Sequence, residues 1–383
     1  MRGKARLPTL ALSAAAVLLA GSAELAGVCG PFTDVAADAF CPFVLEIFTL
    51  GITTGTTPTT YDPAGNVSRL QMAAFLSRTV DSALRRSSPR AIADQFWTPR
   101  SAAATGATTV GMEPLLPACD GADIWVPNVA SWTISRVRGS DGKLLGTWSP
   151  AQSPVAALVA MDGVFVTAGT LPGTLFRIQP SQPPGAATVL SSSLGDNPAG
   201  LAFDGGRIWT ANALGSVSIV VPGPSIPWTV TTVTAGFSNP IAALYDGANV
   251  WITDQGRGLR RLDAAGAILQ TVTFGPAAGF PAFDGMNIWA PTYNSASVLV
   301  VRASSGAVLA TLTSEAWPVA AAFDGQRMLV TNYQPASVSL WNAADLTPLG
   351  TVLLDSNAHP WGACSDGLSF WVALRDEATL LRF

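Results

Sequence analysis

Short apolar runs separated by Asp-Gly pairs fill the C-terminal part of the chain. The pair recurs seven times, with its aspartate at Asp120, Asp162, Asp204, Asp246, Asp284, Asp324 and Asp366. Successive aspartates lie 42, 42, 42, 38, 40 and 42 residues apart. Because glycine adopts positive φ freely and aspartate tolerates it, an Asp-Gly pair between two apolar runs predicts a β-hairpin turn.

One unit of this repeat shows the strand pattern. Its strand-like segments are residues 199–203, 207–210, 216–220 and 229–234, and the turn at Asp204 and Gly205 separates the first two. Four short strands in a period of about 40 residues are typical of propeller blades and not of helical solenoids. We therefore predict a mainly β fold, with a seven-bladed β-propeller of four-stranded blades over residues 104–383.

A large apolar residue follows each Asp-Gly turn by a few positions. These residues are Trp125, Phe165, Trp209, Trp251, Trp289, Leu329 and Trp371. Bulky apolar side chains at one repeat position predict packing between adjacent blades.

The two ends of the repeat region predict closure of the ring. The last unit stops after three strands, at residues 378–383, and residues 108–110 have the spacing of the missing outer strand. Cys119 and Cys364 lie beside the Asp-Gly turns of the first and last units, which are neighbours in a closed ring. We predict that these two cysteines form a disulfide that secures the closure.

The N-terminus has the features of an export signal. Arg2, Lys4 and Arg6 precede an apolar run over residues 10–20, and small residues follow. We predict a signal peptide over residues 1–26, with an uncleaved anchor as the alternative. We therefore predict an exported protein of the cell surface or envelope, with a secreted protein as the alternative. No later apolar run approaches the ~18 residues of a spanning helix, so we expect no transmembrane span in the mature protein.

Cysteines of exported proteins are usually paired. The four cysteines allow three connectivities, and their positions favour Cys29 with Cys41 beside the pair named above. A zinc site is the weaker alternative, because such sites need closely spaced Cys and His residues and the chain has one histidine. We expect neither a metal nor another cofactor.

A compact helical module precedes the repeats, over residues 30–84. Apolar side chains from Phe43 to Leu50 recur at helical spacing, and a second amphipathic segment over residues 67–76 has Ser68 as its N-cap. We predict two short helices that bury their aromatic side chains against each other. Residues 85–103 have the composition of a linker.

The module resembles the S-layer homology (SLH) domain. The matching motifs occur in the family's order: Phe32-x-Asp34-Val35, Gly51-Ile52-x-x-Gly55, Tyr61-Asp62-Pro63 and Val67-Ser68-Arg69-x-Gln71-Met72. The resemblance implies binding of cell-wall or envelope polysaccharide, with Arg69 contacting the acidic glycan. The family usually carries three copies and this chain has one. The alternatives are association of several chains, weak binding, or a packing role with Arg69 a solvated helix charge.

The repeats resemble NHL and YVTN-type surface-layer propellers. The signature within one unit is Phe203-Asp204-Gly205, Ile208-Trp209, Asn212 and Ser216-Val217. That group includes binding proteins, scaffolds and a few enzymes, so the resemblance implies a fold rather than an activity.

Four residues stand before a proline at one repeat position, where the chain enters the innermost strand. They are Asn197, Asn239, Trp317 and His359. We predict that they surround one mouth of the central channel and hold a sugar or small polar ligand by stacking and hydrogen bonds. The alternative is a set of variable, hydrated loop residues.

The net charge and the lack of catalytic motifs in the sequence narrow the possible classes of function. A net charge of −4 provides no basic field for nucleic acid. The sequence contains no Ser-His-Asp set, phosphate loop or suggestive carboxylate pair, so we predict no catalytic residues. Propeller lyases of the virginiamycin type need more than one histidine and a metal, and a single histidine argues against that chemistry.

The preferred hypothesis is therefore an envelope-associated propeller that is not an enzyme. Its SLH-like module attaches to envelope polysaccharide, and the ring binds a protein or glycan. An extracellular lyase or hydrolase of the virginiamycin B lyase type and a surface-layer structural subunit are the alternatives.

Overall fold

The computed structural model describes residues 31–35, 40–49, 52–85, 106–149, 152–185, 187–275 and 278–383. The chain divides into two compact units, residues 1–92 and 93–383. The predicted signal peptide, Cys29 and residues 86–103 of the predicted linker lie outside the described residues, so the Cys29–Cys41 pairing stays a prediction.

The N-terminal unit contains two helices, α1 (Cys41–Thr49) and α2 (Arg69–Arg85). α2 begins with a capping box. The Ser68 Oγ accepts the backbone N–H of Gln71 at 3.2 Å, and the backbone N–H of Ser68 donates to the Gln71 side-chain oxygen at 2.8 Å. This reciprocal pair satisfies two donors that a helix start leaves free, which explains why the helix begins here.

The core of this unit differs from the one we predicted. Phe32 is buried and lies edge-on to Phe48, with ring centroids 5.1 Å apart, and Tyr61 lies 5.7 Å away. Phe43 is 62% exposed, and the apolar residues of α2 include Leu70 at 85% exposure. Among the described side chains, the aromatic residues of the two helices do not pack against each other, and Phe48 of α1 packs on Phe32 instead.

The C-terminal unit is a ring of seven four-stranded antiparallel sheets. Blade 1 contains β2 (Ala118–Cys119), β3 (Asp123–Asn128), β4 (Thr133–Arg138) and β5 (Leu144–Trp148). Blade 2 contains β6 (Pro154–Ala160), β7 (Gly163–Ala168), β8 (Gly173–Ile178) and β9 (Thr188–Leu194). Blade 3 contains β10 (Pro198–Phe203), β11 (Ile208–Asn212), β12 (Ser216–Val221) and β13 (Thr229–Val233).

Blades 4 to 7 repeat the same arrangement. Blade 4 contains β14 (Pro240–Tyr245), β15 (Val250–Asp254), β16 (Gly258–Leu262) and β17 (Ile268–Val272). Blade 5 contains β18 (Ala282–Phe283), β19 (Asn287–Thr292), β20 (Ser297–Arg302) and β21 (Val308–Thr313). Blade 6 contains β22 (Pro318–Phe323), β23 (Arg327–Asn332), β24 (Ser337–Asn342) and β25 (Pro348–Leu353). Blade 7 combines β26 (Pro360–Ser365), β27 (Phe370–Leu374) and β28 (Thr379–Arg382) with β1 (Gly106–Thr109).

The ring closes as the sequence predicts. β1 pairs antiparallel with β28, so the start of the propeller supplies the outer strand of the last blade. Cys119 on β2 and Cys364 on β26 form a disulfide between the innermost strands of blades 1 and 7, with their Cα atoms 5.9 Å apart. Strand pairing and a disulfide therefore both join the ends of the repeat region.

The conserved spacing of aspartate and tryptophan within the repeat has a direct physical cause. In five blades the indole Nε1 donates to the carboxylate of the turn aspartate five residues earlier, as Trp251 does to Asp246 at 2.7 Å. The other carboxylate oxygen of Asp246 accepts the backbone N–H groups of Ala248 and Asn249. One side chain therefore closes the turn and satisfies the polar atom of a buried tryptophan.

The seven bulky residues pack between blades, as predicted. Each of them is at most 1% exposed. Trp251 of blade 4, for example, packs against Ile288 and Ala290 of blade 5. Blade 2 departs from the pattern at its turn, where Met161 and Asp162 both have positive φ and Gly163 already pairs with Ala160. Phe165 there has no indole N–H, so the turn needs no carboxylate acceptor.

Candidate functional site

The residue before the proline of each innermost strand lies at one end of the blade. The backbone carbonyls of Asn197, Asn239, Trp317 and His359 each accept an N–H from the residue that follows the second strand of their blade. We call the pre-proline residues and the residues that follow the second strands the mouth face. Asn197, Trp317 and His359 have φ of 53°, 55° and 40°, a region that few side chains adopt.

The shared bond explains this unusual backbone conformation. Tyr333 N–H donates to the Trp317 carbonyl at 2.9 Å, and Ala213 N–H donates to the Asn197 carbonyl at the same distance. In both blades the pairing register of the first two strands shifts just after the proline. In these two blades the positive φ is therefore part of a bulge that starts the innermost strand.

Aromatic rings gather on the part of the mouth face that belongs to blades 5, 6 and 7. Tyr333 stacks on His359, with ring centroids 4.4 Å apart and planes 12° from parallel, and on Trp317 at 5.8 Å and 23°. Tyr293 lies 6.1 Å from Trp317, and Trp361 meets Tyr333 edge-on at 5.9 Å. We call these five residues the aromatic cluster.

Charged side chains flank the aromatic cluster. The Arg375 guanidinium lies 4.9 Å from the centre of the Trp361 ring, and its Nη2 is 2.9 Å from Oε1 of Glu113 in blade 1. His359 Nδ1 lies 2.5 Å from Asp376 Oδ2. His359 and the flanking Arg375 therefore each have a carboxylate partner, and each is held against an aromatic ring.

The two asparagines lie away from the rings. Asn239 donates from Nδ2 to the Gln255 side-chain oxygen at 2.8 Å, and Gln255 Nε2 donates to the Ala278 carbonyl at 3.3 Å. Asn197 is exposed. The structure therefore brings Trp317 and His359 together through Tyr333, and it makes a separate polar part of the mouth face from Asn197 and Asn239.

Sequence reasoning missed several residues of the aromatic cluster and its border. Tyr293, Tyr333 and Arg375 each follow the last residue of a second strand directly. Asn332 precedes Tyr333 and Thr292 precedes Tyr293, at the repeat position that Asn212 holds in the sequence signature. Extending the repeat alignment by one position would have found all three.

Burial within the aromatic cluster raises the pKa of Tyr293 to about 12, with a further increase from Tyr333 and an opposing effect from Arg375. The folded protein therefore holds this phenolic proton more tightly than the unfolded chain does. The stability that this provides is complete below pH 10, the ordinary tyrosine pKa, and is lost as the pH rises through 12.

We expect the highest step of an ultraviolet titration of tyrosine ionisation to belong to Tyr293. Tyr293→Phe removes that step and reduces the loss of thermal stability between pH 10 and 12. Tyr245→Phe, at a tyrosine bonded to the Gly247 carbonyl on the opposite turn, is the control. A high-pH step that persists in Tyr293→Phe would contradict the assignment.

The SLH-like motifs also acquire a structural role in the N-terminal unit. The Asp34 carboxylate accepts the backbone N–H of Tyr61 at 2.9 Å and that of Asp62 at 2.7 Å, and these bonds lower the Asp34 pKa. The first and third motifs are thereby joined. Arg69 is the first residue of α2 and is exposed, and no hydrogen bond or ion pair of its guanidinium occurs among the described residues.

The helices and the acidic, histidine and cysteine side chains of the described residues bear on other functions. None of the helices there is long and apolar enough to cross a membrane. Over the same parts of the chain, no group of three or more His, Cys, Asp and Glu side chains is arranged to hold a metal ion.

Comparison with known proteins identifies one domain and one fold. Residues 31–73 match the S-layer homology domain. The propeller is similar to virginiamycin B lyase from Staphylococcus aureus, with 15% identity and a TM-score of 0.60 over 72% of this chain and 98% of that one. It is also similar to the WD40 β-propeller domain of Doa1, with 12% identity and a TM-score of 0.60 over 73% and 95% of the two chains. These identities show a shared fold alone. Among curated proteins, none matches the sequence significantly.

Proposed function

Because residues 31–73 are an S-layer homology domain and residues 106–383 form a seven-bladed propeller, we propose that this chain is an exported, envelope-associated binding protein. The SLH domain attaches the chain to envelope polysaccharide. The mouth face of the propeller binds a glycan, and the chain is not an enzyme.

The aromatic cluster carries the proposal for the propeller. Its exposed member is Trp317, at 43%, and Tyr333 holds the indole by stacking. A rigid exposed ring offers an apolar face to the C–H groups of a sugar at little entropic cost. Asn197 and Asn239 on the polar part of the same face supply amide donors and acceptors for hydroxyl groups.

The charge around the cluster favours a neutral or weakly charged sugar. Arg375 is already paired with Glu113, and Asp376 is paired with His359. A strongly acidic glycan would have to displace a carboxylate from its basic partner, and that exchange gains little. Stacking and hydroxyl contacts are therefore the main sources of affinity.

Glycan binding by the full chain tests this assignment. We expect Trp317→Ala to weaken binding on a glycan array, or to a hit titrated in solution, by about tenfold or more. Leu269→Ala, at a 54% exposed leucine of the outer strand β17, should leave binding unchanged. Equal loss in both variants, or no glycan bound by the full chain, would reject the proposal.

Co-sedimentation with purified cell envelopes tests the anchor separately. We expect the full-length mature protein to pellet, a chain lacking residues 30–84 to stay in solution, and Arg69→Ala to bind weakly. The guanidinium at the start of α2 offers paired donors where the helix end adds positive potential. Arg257→Ala, at an exposed arginine of the propeller, is the matched control. If all four proteins stay in solution, the SLH domain does not act as an anchor.

One observation supports an alternative, an extracellular lyase. His359 has the carboxylate partner that orients a general base, with Nδ1 2.5 Å from Asp376. A catalytically inactive variant of virginiamycin B lyase has been solved with quinupristin. Quinupristin is accordingly the first substrate to try. Turnover that His359→Asn abolishes would replace the binding proposal.

A further inference from the structure

A groove of about 340 Å³ lies on the outer side of the ring, between blades 2 and 3. Its floor and walls come from β8, β9 and the loop that joins β12 to β13. The lining residues are Arg177, Gln179, Thr188, Leu190, Gly223, Pro224, Ile226 and Trp228. Arg177 is the one charged residue among them, and the groove has no acidic side chain.

Arg177 occupies a repeat position that other blades use differently. It pairs across the sheet with Phe165, as Arg136 pairs with Trp125, Arg261 with Trp251 and Arg382 with Trp371. These three equivalent arginines each donate from Nη1 to a backbone carbonyl of the following blade, at Pro180, Ser304 and Ser140 respectively. An arginine at this repeat position therefore links two neighbouring blades by a hydrogen bond.

At the junction of blades 2 and 3 this inter-blade hydrogen bond is absent among the described residues. Among the described residues, no hydrogen bond or ion pair involves the Arg177 guanidinium, and its Nε is buried without a partner. The guanidinium faces the Phe165 ring, with its Cζ 6.0 Å from the ring centre. Residues of the loop between β12 and β13 line the groove here, and none of their carbonyls accepts a hydrogen bond from Arg177. A partly buried cation without an anionic partner is costly, so a ligand that supplies one gains affinity.

We propose that this groove binds a small organic carboxylate with an apolar body. The carboxylate pairs with Arg177, and the apolar body packs against Leu190, Ile226 and Trp228. Trp228 is held in place because its indole donates to the Gly223 carbonyl at 3.0 Å and its backbone N–H to Leu190 at 2.8 Å. Ile226 is 54% exposed and is covered when the ligand binds. The groove volume lies at the lower end of the ~300–1,000 Å³ range of small-molecule sites.

The site is separate from the mouth face, and its ligand is chemically distinct from a neutral glycan. 4-Phenylbutyrate and its neutral amide are suitable probes, because they differ only in the group that meets Arg177. We expect calorimetric titration of the full chain to give about tenfold or tighter binding of the acid than of the amide. Arg177→Gln removes that preference, whereas Arg261→Gln and Trp317→Ala retain it.

Thermal unfolding of the same variants verifies that they are folded. Arg177→Gln should keep the wild-type midpoint, because it loses no hydrogen bond, and the acid should raise the midpoints of wild type, Arg261→Gln and Trp317→Ala but not that of Arg177→Gln. Equal binding of acid and amide by wild type, unchanged preference in Arg177→Gln, or no binding of the acid up to about 10 mM would overturn the proposal. A short peptide with a free or amidated C-terminal phenylalanine then distinguishes a peptide end from a free acid.

Discussion

Replacing Cys119 and Cys364 together with serine lowers the free energy of unfolding of the propeller by about 4 kcal/mol. The disulfide joins positions separated by 245 residues in sequence and therefore restricts nearly the whole unfolded propeller. Urea unfolding of the oxidised wild type and of the double variant, followed by tryptophan fluorescence, measures the difference. Five of the seven inter-blade residues are tryptophans, so the signal reports loss of blade packing.

The control for this experiment lies in the other unit. Cys29→Ser with Cys41→Ser should leave the propeller transition where it is, because neither residue belongs to the ring. Reducing agent should shift the wild type towards the Cys119/Cys364 variant and leave that variant unchanged. Coincident midpoints for oxidised wild type and the variant would mean that β1–β28 pairing alone secures the closure.

The propeller could be predicted from sequence because its signals are local and repeated. An Asp-Gly turn, a tryptophan five residues later and a return after about 40 residues each depend on neighbouring positions. The pairing of β1 with β28 followed from counting strands, and the Cys119–Cys364 bond from the neighbourhood that closure creates. The N-cap of α2 was similarly predicted at Ser68, and the structure adds Gln71 as its partner in the capping box.

The aromatic cluster could not be predicted to the same extent, because its contacts join different blades. Tyr333 of blade 6 stacks on His359 of blade 7, and Tyr293 of blade 5 approaches Trp317 of blade 6. The sequence placed Trp317 and His359 at one repeat position. It could not give the position and tilt of one blade relative to the next, which set the distances between their rings. The unpaired Arg177 was hidden for a similar reason, since its partner would have come from a loop of the next blade.

The core of the N-terminal unit shows a different limit. Helical spacing correctly indicated α1, but it could not rank the possible partners for the apolar side chains. Phe32, outside both helices, took the central position, with Gly55 beside it at φ 78°. A Cβ on Gly55 would lie 2.4 Å from the Phe32 ring, so the loop glycine is required by a residue far from it in sequence.

Glycines on the innermost strands set how closely the blades approach. Gly362 on β26 faces the inner edge of blade 1, where an added Cβ would lie 2.1 Å from the Leu115 carbonyl oxygen and 2.8 Å from Pro117 Cδ. Similarly, a Cβ added to Gly279, just before β18, would lie 2.0 Å from the Val319 carbonyl oxygen of blade 6. Backbone atoms cannot move aside as a flexible side chain can, so the strands themselves would have to separate.

Gly362→Ala therefore lowers the free energy of unfolding by on the order of 3 kcal/mol, although alanine adds only one methyl group. The matched control is Gly206→Ala, at an exposed turn glycine without positive φ, where the nearest atom to an added Cβ is 3.8 Å away. That change should be neutral or slightly stabilising, because alanine restricts the unfolded chain. Urea unfolding of both variants provides the comparison.

The same variant also reports on the closure. Gly362 is two residues from Cys364, so separation of the strands at Gly362 strains the joint that the disulfide holds. We expect Gly362→Ala to cost less in the Cys119→Ser/Cys364→Ser background than in the wild type, because strands without the disulfide can separate to accommodate the added methyl group. Equal costs in the two backgrounds would mean that the strand contact and the disulfide stabilise the ring independently.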